Sequence, residues 1–119
     1  MKWYLAKLVY RIICGSGDHT PQFDEQLRLI EAGSKSEAFQ KALSIGRAEA
    51  VDFRNEKGEL VQWKFIDVSD LYRLNEVVDG TEVYSRIEEK EDAARFEEIV
   101  HARAAYLQHQ LNTPHLQNS

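Results

Sequence analysis

The sequence predicts an α+β fold: an antiparallel sheet of two hairpins in the order β-β-α-β-β, with a helix packed on it and a long C-terminal helix. Three observations carry that expectation. Residues 3–14 alternate in polarity, a Ser-x-x-Glu capping pattern starts at Ser34, and Asp79-Gly80 separates two late runs rich in strand-forming residues.

In the first run, Tyr4, Ala6, Leu8, Tyr10, Ile12 and Cys14 make one alternate set that is apolar throughout, whereas the other set carries Lys7 and Arg11 among apolar residues. Alternate side chains of a strand point to opposite faces, so the first set belongs on a core and the second is only partly covered. The partner strand spans about residues 23–32, with Phe23, Leu27 and Leu29 on one face and Gln26, Arg28 and Ile30 on the other. Residues 15–22, with Gly15, Gly17, Asp18 and Pro21 among them, are turn formers that suit a solvent-facing hairpin loop.

Ser34 and Glu37 form a capping box, so a helix starts there. Phe39, Ala42, Leu43, Gly46 and Ala50 make its narrow apolar stripe, and the small residues on it suit a close approach to the sheet. The helix is expected to end near residues 51–54, followed by a turn at 55–59. A strand over 60–68 then alternates Val61, Trp63 and Phe65 with Gln62 and Lys64. Residues 69–74 are read as a continuation of that strand through a bulge, with a helical turn as the alternative. After Asp79-Gly80, residues 81–87 are the expected last strand.

From about Glu89, Ala93, Phe96, Val100, Ala104, Leu107 and Leu111 recur at threes and fours, and acids crowd the start of this helix, where its dipole favours them. About twenty residues extend about 30 Å, enough to cross a sheet face or to pack on another subunit. The expected organisation is a single domain over 1–119: an α+β core at 3–88, the helix at 89–111 and a disordered tail at 112–119.

A chain of 119 residues with 43% hydrophobic and 29% charged residues is globular. A net charge of -5 argues against nucleic acid as a partner, since phosphate binding rests on clustered cations. The lone Cys14 excludes an intrachain disulfide and fits a cytoplasmic setting. Neither a signal peptide nor a membrane span is present in the pattern.

With these elements placed, the chain resembles a small bacterial family known as a domain of unknown function (domain of unknown function 4288). The matching residues are Trp3-Tyr4, Phe23-Asp24-Glu25, the helix start from Ser34 to Ala38, Gly58 leading into Trp63-Lys64-Phe65, and the run from Asp79-Gly80-Thr81 to Tyr84-Ser85. The resemblance covers about residues 3–88 and implies a compact α+β domain; it brings no activity and no catalytic residues.

Two groups of residues are site-like. Asp18, His19 and Asp24 gather with Cys14 about the first hairpin loop, where His and carboxylates can hold a metal or shuttle protons and Cys beside His can be a nucleophile pair. Against that reading, loop solvation and turn formation account for Asp18 and His19, and Cys14 belongs to the core-facing set. Trp63, Glu82, Tyr84 and Arg86, with Lys64 nearby, could stack on and hydrogen-bond a planar ligand such as a nucleotide. An exposed strand that alternates charge and aromatics has the same pattern. Gly15-x-Gly17 lacks the helix and the Gly-Lys-Ser/Thr that a phosphate loop needs, and a dinucleotide fingerprint fails for the same reason. His101, His109 and His115 do not converge by spacing.

No residue is assigned to catalysis or to a metal, and no cofactor is implied. The leading expectation is a noncatalytic binding or interaction module acting as a cytoplasmic homodimer, through the half-apolar sheet face or the terminal helix, with a protein partner or small-molecule ligand. The alternatives are a protein that binds or sequesters a nucleotide-like small molecule and a metal-dependent hydrolase built on the first hairpin loop.

Overall fold

A computed structural model describes residues 1–112 of the chain. The chain divides into two compact units, Met1–Ser85 and a second that begins at Arg86. The first unit holds a four-stranded antiparallel sheet in the order β2-β1-β4-β3, made by β1 (Lys2–Cys14), β2 (Gln22–Ala32), β3 (Val51–Arg54) and β4 (Leu60–Leu74), with helix α1 (Lys35–Ala48) between β2 and β3.

The long central strand β1 organises the sheet. It pairs with β2 from Lys2 opposite Ala32 to Ile12 opposite Gln22 without a break in register. On its other side it pairs with β4, where the register shifts twice. Lys7 faces Asp70 and Leu8 faces Val68, so Ser69 is an extra residue; Val9 faces Asp67 and Tyr10 faces Phe65, so Ile66 is another. Residues 69–74 therefore do continue the strand, through bulges that bend and twist it.

The helix is set by its cap. The Ser34 hydroxyl accepts from the Glu37 amide at 3.1 Å, and the Glu37 carboxylate reaches back to the Gly33 amide at 3.1 Å. Ala38, Ala42 and Gly46 form its buried stripe. Their small side chains let α1 lie on Tyr4, Ala6, Leu8 and Tyr10 of β1 and Ile30 and Ala32 of β2, all buried, while Ile45, Trp63, Phe65, Val68 and Leu71 pack around them. Each large apolar side chain buried here, such as Leu8 or Ile30, contributes about 1.5–3 kcal/mol. The alternate set of β1 marked as core in the sequence is thus the set beneath the helix, although Ile12 and Cys14 at its far end are only half-buried.

Three element boundaries differ from expectation. Helix α1 ends at Ala48, and Val51–Arg54 is a strand rather than the end of the helix. It pairs with Leu60–Trp63 around a tight turn in which Asn55 Oδ1 accepts from the Lys57 and Glu59 amides, both at 3.0 Å, and Gly58 takes a φ of 78°. This β3-β4 pair is the second hairpin of the sheet. Residues 81–87, expected as the last strand, contain no regular structure; Tyr84 instead meets the Tyr72 ring edge-on at 5.6 Å. Favourable side chains alone do not make a strand; these residues pair with no edge of the sheet.

In the second unit, helix α2 (Ala93–Leu111) starts four residues later than the expected Glu89, because Asp92 is its cap: its carboxylate accepts from the Arg95 amide at 3.0 Å. No residue of α2 is buried, and Phe96, Val100, Leu107 and Leu111 of its expected stripe are all exposed. Apart from Asn112, which caps this helix, the tail expected to be disordered lies outside the described residues. Among the described residues, no helix is long and apolar enough to cross a membrane.

Candidate functional site

The most developed polar cluster lies on the α1 side of the sheet, beyond the buried core. On β2 the residues facing that side run from Ala32 and Ile30 to Arg28, Gln26 and Asp24, so an apolar face turns polar along a single strand. The register sets Asp24 and Phe65 on either side of Tyr10. Trp63, two residues along β4, then reaches across, and its indole N–H donates to Asp24 Oδ2 at 3.2 Å.

The remaining bonds form a chain. Gln26 donates to the same Asp24 oxygen at 2.6 Å and accepts from Arg28 Nε at 3.1 Å and Nη2 at 2.7 Å. Arg28 forks onto Glu49, the residue that caps α1, at 2.8 and 2.9 Å. The Tyr10 hydroxyl donates to the Gly46 carbonyl at 3.0 Å. These side chains, with Val51, line a cavity of about 270 Å³. Val51 and Trp63 also line an adjoining groove of about 600 Å³ that runs past Arg47, Asp52 and Lys64, and Phe53 stacks on Trp63 with ring centres 6.5 Å apart.

The electrostatics follow from these contacts. The hydrogen bond from Arg28 holds the Glu49 carboxyl below its ordinary range, and the same bond raises Arg28. Burial pushes the Tyr10 phenol up, with the Glu49 charge acting in the same direction. A phenol held protonated and already bonded to a carbonyl is not poised as a base. The cavity walls contain no serine, cysteine or histidine. The two carboxylates, Asp24 and Glu49, are thus tied into one hydrogen-bonded chain beside the Trp63 ring.

The site residues predicted from the sequence are distributed differently from their grouping there. Asp18 and His19 stay together in the first hairpin loop, beside Cys14 and Glu59 in a recess of about 630 Å³. His19 is occupied by the backbone: Nε2 accepts from the Cys14 amide at 3.0 Å, and Nδ1 lies 2.9 Å from the Thr20 carbonyl. The Nδ1–H tautomer satisfies both contacts, and a metal ion on either nitrogen would displace one. Asp24 does not join them; it belongs to the Trp63 cluster. Among the described residues, no group of three or more His, Cys, Asp or Glu side chains could hold a metal.

The second predicted group also separates. Trp63 lies on the α1 side, opposite Ile12, whereas Tyr84 packs on Tyr72, which lies opposite Leu5 on the other face. Glu82 lines a small recess with Tyr84 and Tyr72. Arg86 belongs to the second unit, where it pairs with Glu88.

The sequence reading missed Tyr10, Gln26, Arg28 and Glu49 as partners of Trp63 and Asp24. One signal was present: Asp24, Gln26 and Arg28 are polar at alternate positions in register with an apolar face of β1.

The family described as a domain of unknown function (DUF4288) matches residues 3–85. The chain belongs to this family. The match covers the sheet, α1 and the segment that carries Tyr84, and it leaves α2 outside. The DUF4288 domain thus contains the whole Trp63 cluster. No curated protein and no solved structure matches the chain.

Proposed function

We propose that this DUF4288 domain is a noncatalytic binding module that acts as a homodimer. The observation that carries the reading is a row of apolar side chains on the face of β2 turned away from α1: Phe23, Leu27 and Leu29 are 56%, 49% and 52% exposed. Trp3 and Tyr72, on the same face of the sheet, are also exposed. Scattered exposed apolar residues are ordinary, but Leu27 beside Leu29 on one strand, with Phe23 beyond Glu25, make a surface whose burial would be favourable. The cations and acids on the same face, Lys7 with Glu25 at 3.9 Å and Asp70 at 3.8 Å, are mixed in sign, which suits self-association better than binding to a uniformly charged partner. A cytoplasmic setting accompanies this reading, in keeping with the unpaired Cys14.

Native mass spectrometry of the full chain tests it. A dimer mass at micromolar concentration is expected, and a chain that stays monomeric at about 100 μM, where interfaces of ordinary affinity are filled, would overturn it.

A second reading, binding of a small planar ligand, rests on the cavity at Trp63, where the Phe53-Trp63 stack lies beside Asp24 and Arg28. Ligand bound to the native state raises the melting temperature. A screen of planar amines and nucleotides that shifts the wild-type chain, but not Trp63→Ala, is the result expected. No shift with any of them would remove this reading.

A further inference from the structure

We infer that β2 is the dimer strand: two copies join edge to edge through antiparallel β2 pairing centred on Gln26, making one continuous sheet of eight strands. The inference rests on the homodimer reading above and specifies its geometry.

The two edges of the sheet are built differently. On the β3 side, β3 covers only Leu60–Trp63 of β4, and the rest of that edge contains the two register shifts and the acids Asp67 and Asp70. Asp67 Oδ1 accepts from the Val68 amide at 2.8 Å, so a backbone donor there is already taken. Bulges, acids and short strands are the devices that keep an edge from pairing.

The β2 edge also contains acids, Asp24, Glu25 and Glu31, but it is neither bulged nor short. It runs from Gln22 to Ala32 in unbroken register with β1, contains no proline and no lysine, and has no bulge. Among the described residues, the one side-chain bond onto its backbone is from the Lys41 ammonium to the Glu31 carbonyl at 3.0 Å, near one end. A long, regular edge flanked by exposed Phe23, Leu27 and Leu29 is a template for another strand.

The strand's own sequence selects a second copy and a register. A two-fold axis at Gln26 sets Asp24 of each copy opposite Arg28 of the other, and Phe23 opposite Leu29. Gln26 then faces Gln26. Shifting the axis to Arg28 would oppose the two arginines and set Glu25 against Glu31; shifting it to Leu27 would set Phe23 against Glu31. Among these, the Gln26 register is the one that opposes opposite charges and no like charges, although it also sets Glu25 opposite Leu27; opposite-charge and apolar cross-strand pairs are the favourable ones. An axis perpendicular to the sheet also keeps the two apolar rows on one face as a single band.

Cysteine cross-linking reads the register. In a Cys14→Ser background, Gln26→Cys chains treated with a short bismaleimide should couple to dimers in high yield. Glu31→Cys chains should not, since the two thiols would sit ten residues apart along the paired strands, about 33 Å. Hydrogen exchange on the wild-type chain is the second measurement: β2 amides that do not bond to β1 should slow as concentration rises through the dimer transition. A dimer by mass with no Gln26→Cys coupling, or with equal coupling at Glu31→Cys, would overturn the β2 pairing while leaving the homodimer intact. A dimer whose outer β2 amides exchange at the monomer's rate would do the same. A monomer by mass would overturn both.

Discussion

The Phe65 ring occupies the space that a side chain at Gly46 would need: a Cβ built on Gly46 would fall within 3.0 Å of ring atoms Cε1, Cζ and Cδ1. The ring is held from the other side by Tyr10, whose centroid lies 5.5 Å away and whose hydroxyl donates to the Gly46 carbonyl. A helix residue, a β1 residue and a β4 residue thus form one interlocked contact between α1 and the sheet.

Gly46→Ala should therefore destabilise the chain by about 1–3 kcal/mol, the cost of forcing an extra carbon into a packed core. The sign is informative because alanine in an ordinary helix position gains about 0.5–1 kcal/mol over glycine. Urea unfolding measures it. Phe65→Leu combined with Gly46→Ala should recover part of the loss, since the smaller side chain can withdraw.

Tyr10 makes stability sensitive to alkali. Its folded-state pKa is raised by burial, so the stability it contributes is present below the ordinary tyrosine value near 10.0 and is lost as pH rises through the folded value. Denaturant midpoints followed from about pH 8 to 11 should fall in that window. Tyr10→Phe should flatten the fall and cost about 0.5–1.5 kcal/mol at neutral pH through the missing bond to Gly46.

The Arg28-Glu49 fork works in the acid range. Glu49 is held below its ordinary value, so its contribution is present above the ordinary carboxylate pKa and disappears as pH falls through the lowered one. In Arg28→Ala, the Glu49 side-chain NMR titration should move up to the ordinary range near 4.5. High salt should weaken the effect in the wild type, because both side chains are partly exposed.

Two local substitutions test the cap and the second hairpin. Ser34→Ala removes the acceptor of the Glu37 amide and should cost about 1 kcal/mol by thermal or urea unfolding. Gly58→Ala forces a side chain into a φ of 78° and should cost about 1 kcal/mol or more. Since β3 pairs with the sheet through four residues of β4 alone, hydrogen exchange in Gly58→Ala should speed up first in Val51–Arg54.

What was legible in the sequence were the features with their own local cause. The alternation of Tyr4, Ala6, Leu8 and Tyr10 marked the core face of β1, and Ser34 with Glu37 marked the start of α1, because a strand's period and a helix's first amides act within a few residues. Residues 69–74 lean to strand in the sequence with a helical turn as the alternative, and pairing with β1 decides for strand. Tertiary structure alone decided where the fourth strand lies. Val51–Arg54 is too short to show a period and is a strand because Leu60–Trp63 offers it an edge, while residues 81–87 have suitable side chains and no pairing. The Trp63 cluster is of the same kind. Asp24 and Trp63 stand 39 residues apart and meet only because β1 brings β2 and β4 to either side of Tyr10. Contacts across a sheet depend on register, and register is a property of the assembled strands rather than of any one segment.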